Sequence, residues 1–450
     1  MLSTNVYTKN KIIQKQRELA KQADVPSLEV YRLQPNSMQV GFIVNLKKII
    51  NAGEDRALLI SATGTGKTYA SAFAMRELGY KRVLFLVHRG QLARQTKKSY
   101  QKVFGKNISM GLVGAGYSDY DADYVFAMVQ TLNRDEHLHK YSPDEFDCII
   151  LDEAHHSSAD TYQKVMSYFK PKLWLGMTAT PDKRDDDVAG RNIYEIFNYQ
   201  IAYEIRLQQA MEEDILCPFH YFGITDVEFD DNTIDDDFTD FNLLASDKRV
   251  DYLIEKAEFY GYSGDRRKAL VFCSRKREAE LLSEKFNRRG YKSAVLTGDD
   301  SQEARLEAID RLTNDENTDR LEFIFTVDIF NEGVDIPEID TVLFLRPTQS
   351  PTIFLQQLGR GLRKSENKTH LTVLDFIGNY KKANLVPFLL SDYDYDTKTL
   401  LNESVLEFEY PEDCYIDFDF QLVDLFKIQA RQELKIKDKI IMEFESVKES

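Results

Sequence analysis

The string Ser61-Ala62-Thr63-Gly64-Thr65-Gly66-Lys67-Thr68 lies between an apolar run, Ala57–Ile60, and a helix-prone stretch, Tyr69–Met75. Glycines in such a string let the backbone turn tightly, so that its N–H groups converge on phosphate oxygens. The positive end of the following helix adds to that attraction. In this arrangement Thr63, Gly64, Thr65 and Gly66 cradle the phosphates of ATP, Lys67 reaches the β- and γ-phosphates, and the Thr68 hydroxyl binds Mg2+. The general pattern opens with Gly, and here that position is Ser61. A turn of purely structural use is the bland alternative; the strand before and the helix after argue against it.

A second apolar run, Cys148–Leu151, ends in Asp152-Glu153-Ala154-His155-His156. Two carboxylates at a strand end are often plain surface acids. Downstream of a phosphate loop they suit a division of labour, in which Asp152 holds Mg2+ through its water shell and Glu153 orients or deprotonates an attacking water. His155 and His156 lack partners at metal-ligand spacing, so a polar coupling role suits His155 better than a metal. The run Leu173–Met177 leads into Thr178-Ala179-Thr180-Pro181. Hydroxyls after a strand are often turn formers; beside the carboxylates, Thr178 and Thr180 would sense the state of the γ-phosphate.

These strings need strands and helices to hold them, and the chain alternates the two. Short continuous apolar runs recur at Ala57–Ile60, Val83–Val87, Tyr124–Met128, Cys148–Leu151 and Leu173–Met177. After about residue 219 a second series follows at Ala269–Phe272, Ser293–Leu296, Phe323–Phe325, Thr341–Phe344 and Leu371–Leu374. Such runs, mostly followed by helical stretches, predict parallel sheets covered on both faces. A length of 450 residues, 43% hydrophobic and 29% charged, fits two or three soluble domains. The expected division is an N-terminal helical extension or linker (1–29), a first α/β domain (30–218), a second (219–386) and a C-terminal extension (387–450), with the start of a further domain as the alternative for that last segment.

No apolar run approaches the roughly 20 residues that span a bilayer. The first residues show no apolar core or cleavage pattern, so a cytoplasmic protein is expected. Four scattered cysteines form no CxxC pair. The net charge of −16 by itself argues against a polyanionic partner. Part of that deficit is local, because Asp226–Asp240 holds eight acids and no base, and 226–247 reads as an exposed loop or insertion. Basic residues cluster at Arg266–Lys268, Arg275–Arg277 and Arg288–Arg289. For any single cluster a solvated face is the ordinary reading.

Taken in order, the strings resemble the motifs of a superfamily 2 helicase of the DEAD/DEAH type, over roughly residues 30–385. A small residue in place of the first Gly of the phosphate loop is common in that class. Pro35-Asn-Ser-Met-Gln39 looks like the adenine-reading segment, with Gln39 as reader, although it departs from the usual Arg-Pro-Tyr-Gln form. Leu86-Val-His-Arg89 and Val129-Gln130-Thr131-Leu132 resemble strand-binding motifs, implying nucleic-acid contacts at Arg89, Gln130 and Thr131. Leu270-Val-Phe-Cys-Ser274-Arg275 resembles the motif that opens the second lobe, and Leu296-Thr297-Gly298-Asp299 a phosphate-contacting turn. The string Phe325-Thr326 to Pro337 resembles the motif touching both nucleic acid (Thr326) and nucleotide (Gly333, Asp335). Gln356-Gln-Leu-Gly-Arg360-Gly-Leu-Arg363 resembles the arginine-finger motif, with Gln356 in a coupling role. Guanidinium groups suit that task because they stay charged and contact two phosphate oxygens at once.

The resemblance implies an α/β fold of two tandem RecA-like P-loop domains with parallel sheets, the ATP site in the interdomain cleft, and a small C-terminal extension. It implies ATP and Mg2+ as cofactors, Lys67, Glu153, Arg360 and Arg363 as the catalytic set, and a motor that moves on nucleic acid. Asp152–His156, the Asn331–Pro337 string and Leu374-Asp-Phe-Ile-Gly-Asn379 resemble bacterial helicases of the restriction-enzyme type (type III Res subunit-like). This favours DNA, double- or single-stranded, over RNA, with a nuclease or specificity partner domain or subunit and no membrane partner. No His-x-Lys or Asp…Glu-x-Lys nuclease set accompanies them, which leaves a motor portion, either a fragment or a short relative. The alternative is an ATP-gated nucleic-acid-binding module or sensor that does not unwind.

Overall fold

A computed structural model describes residues 33–154, 157, 160–179, 192–227, 244–327, 336–346, 351–377, 383–391, 395–411 and 413–448. The N-terminal extension, His155, His156, Thr180, Gly333, Asp335 and most of the acidic segment lie outside these. The described chain forms two compact units. One comprises the residues up to Ser61 and Gly66–Ile205; the other comprises Ala62–Thr65 and the residues from Arg206 onward.

The first unit is built on strands β1 (Arg56–Ser61), β2 (Val83–Val87), β3 (Met110–Gly114), β4 (Tyr117–Ser118), β5 (Tyr124–Met128), β6 (Cys148–Asp152), β7 (Leu173–Thr178) and β8 (Ile201–Ile205). They form one sheet in the order β4-β3-β5-β2-β6-β7-β1-β8. Its pairs are parallel except β3 with the two-residue edge strand β4. Every residue of β2 is buried, as expected of a strand covered on both faces by crossover helices. The longer helices are α1 (Ser37–Asn51), α2 (Lys67–Leu78), α3 (Gly90–Phe104) and α4 (Asp160–Tyr168).

Strand β7 runs through the core beside β1, and its Gly176 makes room for two side chains. A methyl group there would lie 2.5 Å from the Phe197 ring and 2.9 Å from Leu58. Neither neighbour can withdraw without opening the packed core, so Gly176→Ala should cost about 1–3 kcal/mol. Urea unfolding of the variant checks this; an unchanged midpoint would show that Phe197 rotates away at no cost.

The second unit carries β9 (Phe219–Thr225), β10 (Ala269–Phe272), β11 (Ser293–Leu296), β12 (Phe323–Thr326), β13 (Thr341–Phe344), β14 (Leu371–Ile377) and β15 (Tyr415–Phe418). The order is β11-β12-β10-β13-β14-β9-β15, and every pair is parallel. Its longer helices are α5 (Asp247–Tyr260), α6 (Lys276–Arg288), α7 (Gln302–Thr313), α8 (Pro351–Gly361) and α9 (Phe420–Lys448). Segment 387–450 contributes β15 to the sheet edge beside β9 and buries Leu422, Val423, Phe426 and Ala430 of α9.

The expected α/β architecture is borne out, and the apolar runs fall on strands whose ends differ by at most a few residues. The expectation of an exposed loop over 226–247 is corrected at its ends. Asp226 is buried against the fully buried Arg249, and Leu244 and Ala245 are buried as well. A carboxylate can leave water here because a guanidinium meets it with two hydrogen-bonding groups.

Candidate functional site

In open parallel sheets the strand C-terminal ends converge on one edge, where ligands bind. The first unit places its candidate residues there. The phosphate loop follows β1, Thr178 ends β7 and Asp152 ends β6, and these three strands are neighbours. Register sets Ile60 opposite Thr178, and Met177 opposite Asp152. On the other side of β6, Arg89 follows β2, and Gln130 and Thr131 follow β5. One edge therefore carries the nucleotide candidates on one half and the strand-binding candidates on the other.

The phosphate loop needs its glycines for conformation. Gly64 and Gly66 have φ of +95° and +93°, in the left-handed region that favours glycine. Thr65 Oγ1 donates to the Ala62 carbonyl at 2.8 Å, closing the turn. Lys67 Nζ donates to the Ser61 carbonyl at 2.9 Å, so its ammonium folds back over the loop. Thr68 begins the first turn of α2, and its carbonyl accepts from the Ser71 hydroxyl.

Gln39 lies beside this loop, fixed from two sides. It forms a capping box with Asn36: Asn36 Oδ1 accepts from the Gln39 N–H, and Gln39 Oε1 accepts from the Asn36 N–H. Its Nε2 donates to the Gly66 carbonyl at 3.2 Å. A side chain at position 66 would approach that amide to 2.8 Å, which gives Gly66 a second reason to be glycine. The sequence placed Gln39 near nucleotide; its use as a capping residue for α1 is added by the structure.

Asp152 and Glu153 differ in surroundings. Burial, then the Glu153 carboxylate, push Asp152 up to about 7, while Lys67 and His88 pull the other way. Thr68 and Asp152 are the residues that would hold a divalent cation here, whose charge would add to that of Lys67 beside the two carboxylates. Glu153 has φ of +49°, a costly conformation for a residue with a long side chain. Such strain persists where surrounding structure imposes it, often at functional positions. The Thr178 side chain is fully buried beside them on β7.

Aromatic packing holds the strand-binding half. Tyr100 of α3 meets Phe85 and Phe126 edge-on, with centroids 5.7 and 5.2 Å apart, and its hydroxyl lies 2.7 Å from Ser71 Oγ of α2. This fixes α3, whose N-cap is Arg89. Thr131 packs on Gly114, where a methyl group would come within 2.6 Å of its hydroxyl. Gln130 is exposed.

The second unit repeats the plan. Ser274 and Arg275 follow β10, Thr297 and Gly298 follow β11, and Thr326 ends β12, on three adjacent strands. Thr326 is paired in register with both Phe272 and Leu296. The Thr297 N–H and hydroxyl donate to Asp300, at 2.6 and 3.0 Å, and Arg305 holds the Thr297 and Gly298 carbonyls. Asp300 and Arg305 were not anticipated, although the Thr297-x-x-Asp300 spacing is a local signal for such a turn. An exposed bridge of 2.9 Å from Lys276 to Asp299 ties this turn to the Ser274–Arg275 motif.

Behind Ser274 lies a group with no sequence signal. Its N–H donates to Glu278, and Glu278 accepts from the buried Arg249, which also grips Asp226. Burial raises the Glu278 carboxyl above its ordinary range even beside that guanidinium. Gln356 is buried in α8; Arg360, in its last turn, and Arg363, just beyond it, are half-buried.

Other basic residues are committed inside the second unit. Arg266 binds Asp315 and the carbonyls of Leu312 and Leu321, and Arg267 binds Glu258 and the Ala257 carbonyl. Arg289 binds Asp247 and Asp251, and Arg288 binds Glu284. Among the described residues no group of three His, Cys, Asp or Glu side chains could hold a metal, and no helix is long and apolar enough to cross a membrane.

Comparison with known proteins adds a family context. Residues 32–183 match the family model for the type III restriction enzyme res subunit, and residues 249–365 match that of the helicase conserved C-terminal domain. A putative ATP-dependent helicase of Saccharomyces cerevisiae, IRC3, is 30% identical over 353 residues, covering 73% of this chain and 49% of that protein. The endonuclease subunit of the Escherichia coli type I restriction enzyme EcoAI is 27% identical over 383 residues, 76% of this chain and 46% of the subunit. The chain thus spans about half the length of these curated relatives. Among solved structures, the type ISP restriction-modification enzyme LlaBIII bound to DNA has a TM-score of 0.60 at 18% identity, covering 88% of this chain and 32% of that one. At such identity the likeness is one of fold, and a similar fold occurs in S. cerevisiae Dbp5 bound to RNA and ADP BeF3, with a TM-score of 0.58 at 17% identity.

Proposed function

The chain belongs to the superfamily 2 helicases of the restriction-enzyme type, and from that premise we propose that it hydrolyses ATP to drive movement on DNA. The observation that carries this reading is the shared strand-end edge of the first unit, with Lys67 in the helix that follows the β1 loop, Asp152 and Thr178 at the ends of β6 and β7, and Arg89 and Thr131 just after β2 and β5. A change at the γ-phosphate on one half of a rigid sheet is transmitted to the strand-binding half through β6 and β2, which pair directly.

In this reading the phosphate-loop N–H groups and Lys67 hold the β- and γ-phosphates. Thr68 and Asp152 hold Mg2+, which when bound neutralises charge on the transferring phosphate. Glu153 orients the attacking water and accepts its proton. Gln39 reads the adenine, with its carbonyl oxygen already committed to the Asn36 N–H. Arg360 and Arg363 are the groups assigned to the developing charge, with Gln356, Thr178, His155 and Thr180 as coupling groups and Gly333 and Asp335 as nucleotide-binding residues. Arg89, Gln130, Thr131, Ser274, Arg275, Thr297, Gly298 and Thr326 contact the nucleic-acid backbone, which needs phosphate recognition rather than base readout.

DNA is favoured because the relatives include restriction-enzyme subunits. A defence setting and a nuclease or specificity partner follow from the same kinship and belong to this proposal. ATPase assays with duplex DNA, single-stranded DNA and RNA test it. Turnover should rise with DNA, duplex included, without cleavage. Binding should weaken with salt at a log–log slope of about −0.9 per phosphate neutralised. Stimulation by RNA alone would overturn the choice of DNA. DNA-stimulated turnover without triplex displacement would replace the motor with an ATP-gated clamp.

A further inference from the structure

Helix α8 ends at Gly361, immediately after Arg360 and two residues before Arg363. The last carbonyls of any helix lack intrahelical partners and must find others. Here the partners are specific. The half-buried Lys368 donates from Nζ to the Gly361 carbonyl and, at 2.9 Å, to that of Arg363. The carbonyl between them, of Leu362, accepts from the Cys217 N–H at 2.8 Å. The third contact of the same ammonium, at 3.1 Å, is the Pro337 carbonyl. Pro337 closes the Gly333–Pro337 string, a separate motif 31 residues away in sequence.

An ammonium has three N–H donors and no acceptor, and here all three go to backbone carbonyls. Two of those carbonyls belong to the turn that carries Arg363, and the third is that of Pro337, the last residue of the string to which the family resemblance assigns nucleotide contacts. A cation at a helix C-terminus is also favoured by the helix dipole. Glycine at 361 brings the helix end close enough for this, since a methyl group there would strike Leu371 of β14 at 2.5 Å. Nothing in the motif spacing marks Lys368, which lies five residues beyond Arg363 in the Lys364–Thr369 turn.

Resting on the motor reading above, we propose that Lys368 is a positioning residue: it clamps the end of α8 to the backbone at Pro337 and so sets the direction of Arg360 and Arg363. It touches no substrate. Its effect falls on hydrolysis, because the arginines act on charge that develops in the transition state, while ground-state ATP binding depends on the phosphate loop. A planar guanidinium cannot point three donors at carbonyls gathered around one centre, so arginine is a poor replacement.

The test combines Lys368→Met and Lys368→Arg in the whole chain, with steady-state ATPase kinetics in saturating duplex DNA and hydrogen exchange of the peptide spanning 358–365. Misplacing a catalytic group by about 1 Å can cost on the order of 100-fold. Lys368→Met should therefore lose about 10- to 100-fold in kcat, with KM for ATP within about threefold. Exchange should rise in 358–365 and stay unchanged in β10 and β13. If Lys368→Met does not fold, Lys368→Arg carries the test, with an expected loss of about tenfold in kcat. Wild-type kcat in a folded variant, or unchanged exchange at 358–365, overturns the clamp. Loss confined to KM overturns the positioning role. If the wild type itself turns over no ATP, the motor reading fails, and exchange still decides whether Lys368 holds the turn.

Discussion

Lys67→Ala should abolish ATP turnover if the proposed site is right, with kcat/KM expected to fall by on the order of 10³-fold or more. The substitution removes the one ammonium that the loop presents, now folded back onto the Ser61 carbonyl at 2.9 Å. With ATP bound, that group would exchange a backbone carbonyl for phosphate oxygens carrying several negative charges. A second consequence reinforces the first. Lys67 is one of the groups that draw the Asp152 carboxyl down against its burial. Without it the ionised form of Asp152 is less favoured, which would weaken Mg2+ binding at the proposed site as well. The backbone reasons for the loop's shape, the glycines at positions 64 and 66, are unaffected, so the variant should fold. Turnover measured on protein with an unchanged thermal transition checks the point. Near-wild-type rates in such protein would remove Lys67, and with it the whole phosphate loop, from the reaction.

Arg360→Ala should lose about 10³-fold or more in kcat and little in ATP affinity if Arg360 is the proposed finger. An arginine finger meets charge that appears only as the γ-phosphate leaves, so its absence is felt in the transition state and scarcely in the ground state. Arg360→Lys should recover little, because an ammonium cannot make two parallel contacts to phosphate oxygens. Single-turnover kinetics separate the steps. An unchanged chemical step, with slower product release or weaker ATP binding instead, would exclude the finger role. Comparison with Lys368→Met is informative: a positioning residue should cost less than the group it positions.

How much was legible in the sequence depended on the range of the interaction. The phosphate loop was readable because its demands are local: positive φ at Gly64 and Gly66, a strand before them and a helix after. The runs Val83–Val87, Tyr124–Met128, Ala269–Phe272, Ser293–Leu296 and Thr341–Phe344 were readable for the same reason, each being apolar except for Ser293 and Thr341 at their starts and coinciding with a strand. Strands β3, β8 and β15 escaped notice. Met110–Gly114 contains two glycines, Ile201–Ile205 mixes exposed and buried positions, and Tyr415–Phe418 carries an acid, so none has the continuous apolar run. Their strand character comes from edge or near-edge places in a sheet, and β8 and β15 pair with strands distant in sequence.

Charge was the property the sequence described worst. A run of acids suggested an exposed loop, yet Asp226 is buried, because Arg249, 23 residues later, meets it in the core. Arg266 and Arg267 looked like one cationic patch and are spent on separate carbonyls and carboxylates. The sequence by itself determined which residues can turn a backbone around phosphate and which can present paired carboxylates, since those depend on neighbours along the chain. Tertiary structure alone decided the neighbouring places of β6, β7 and β1, the buried Arg249 between two acids, and the three carbonyls gathered around Lys368. Each of these depends on groups brought together across long stretches of chain, where desolvation forces every buried charge and carbonyl to find a partner, and which partner is available is a property of the fold.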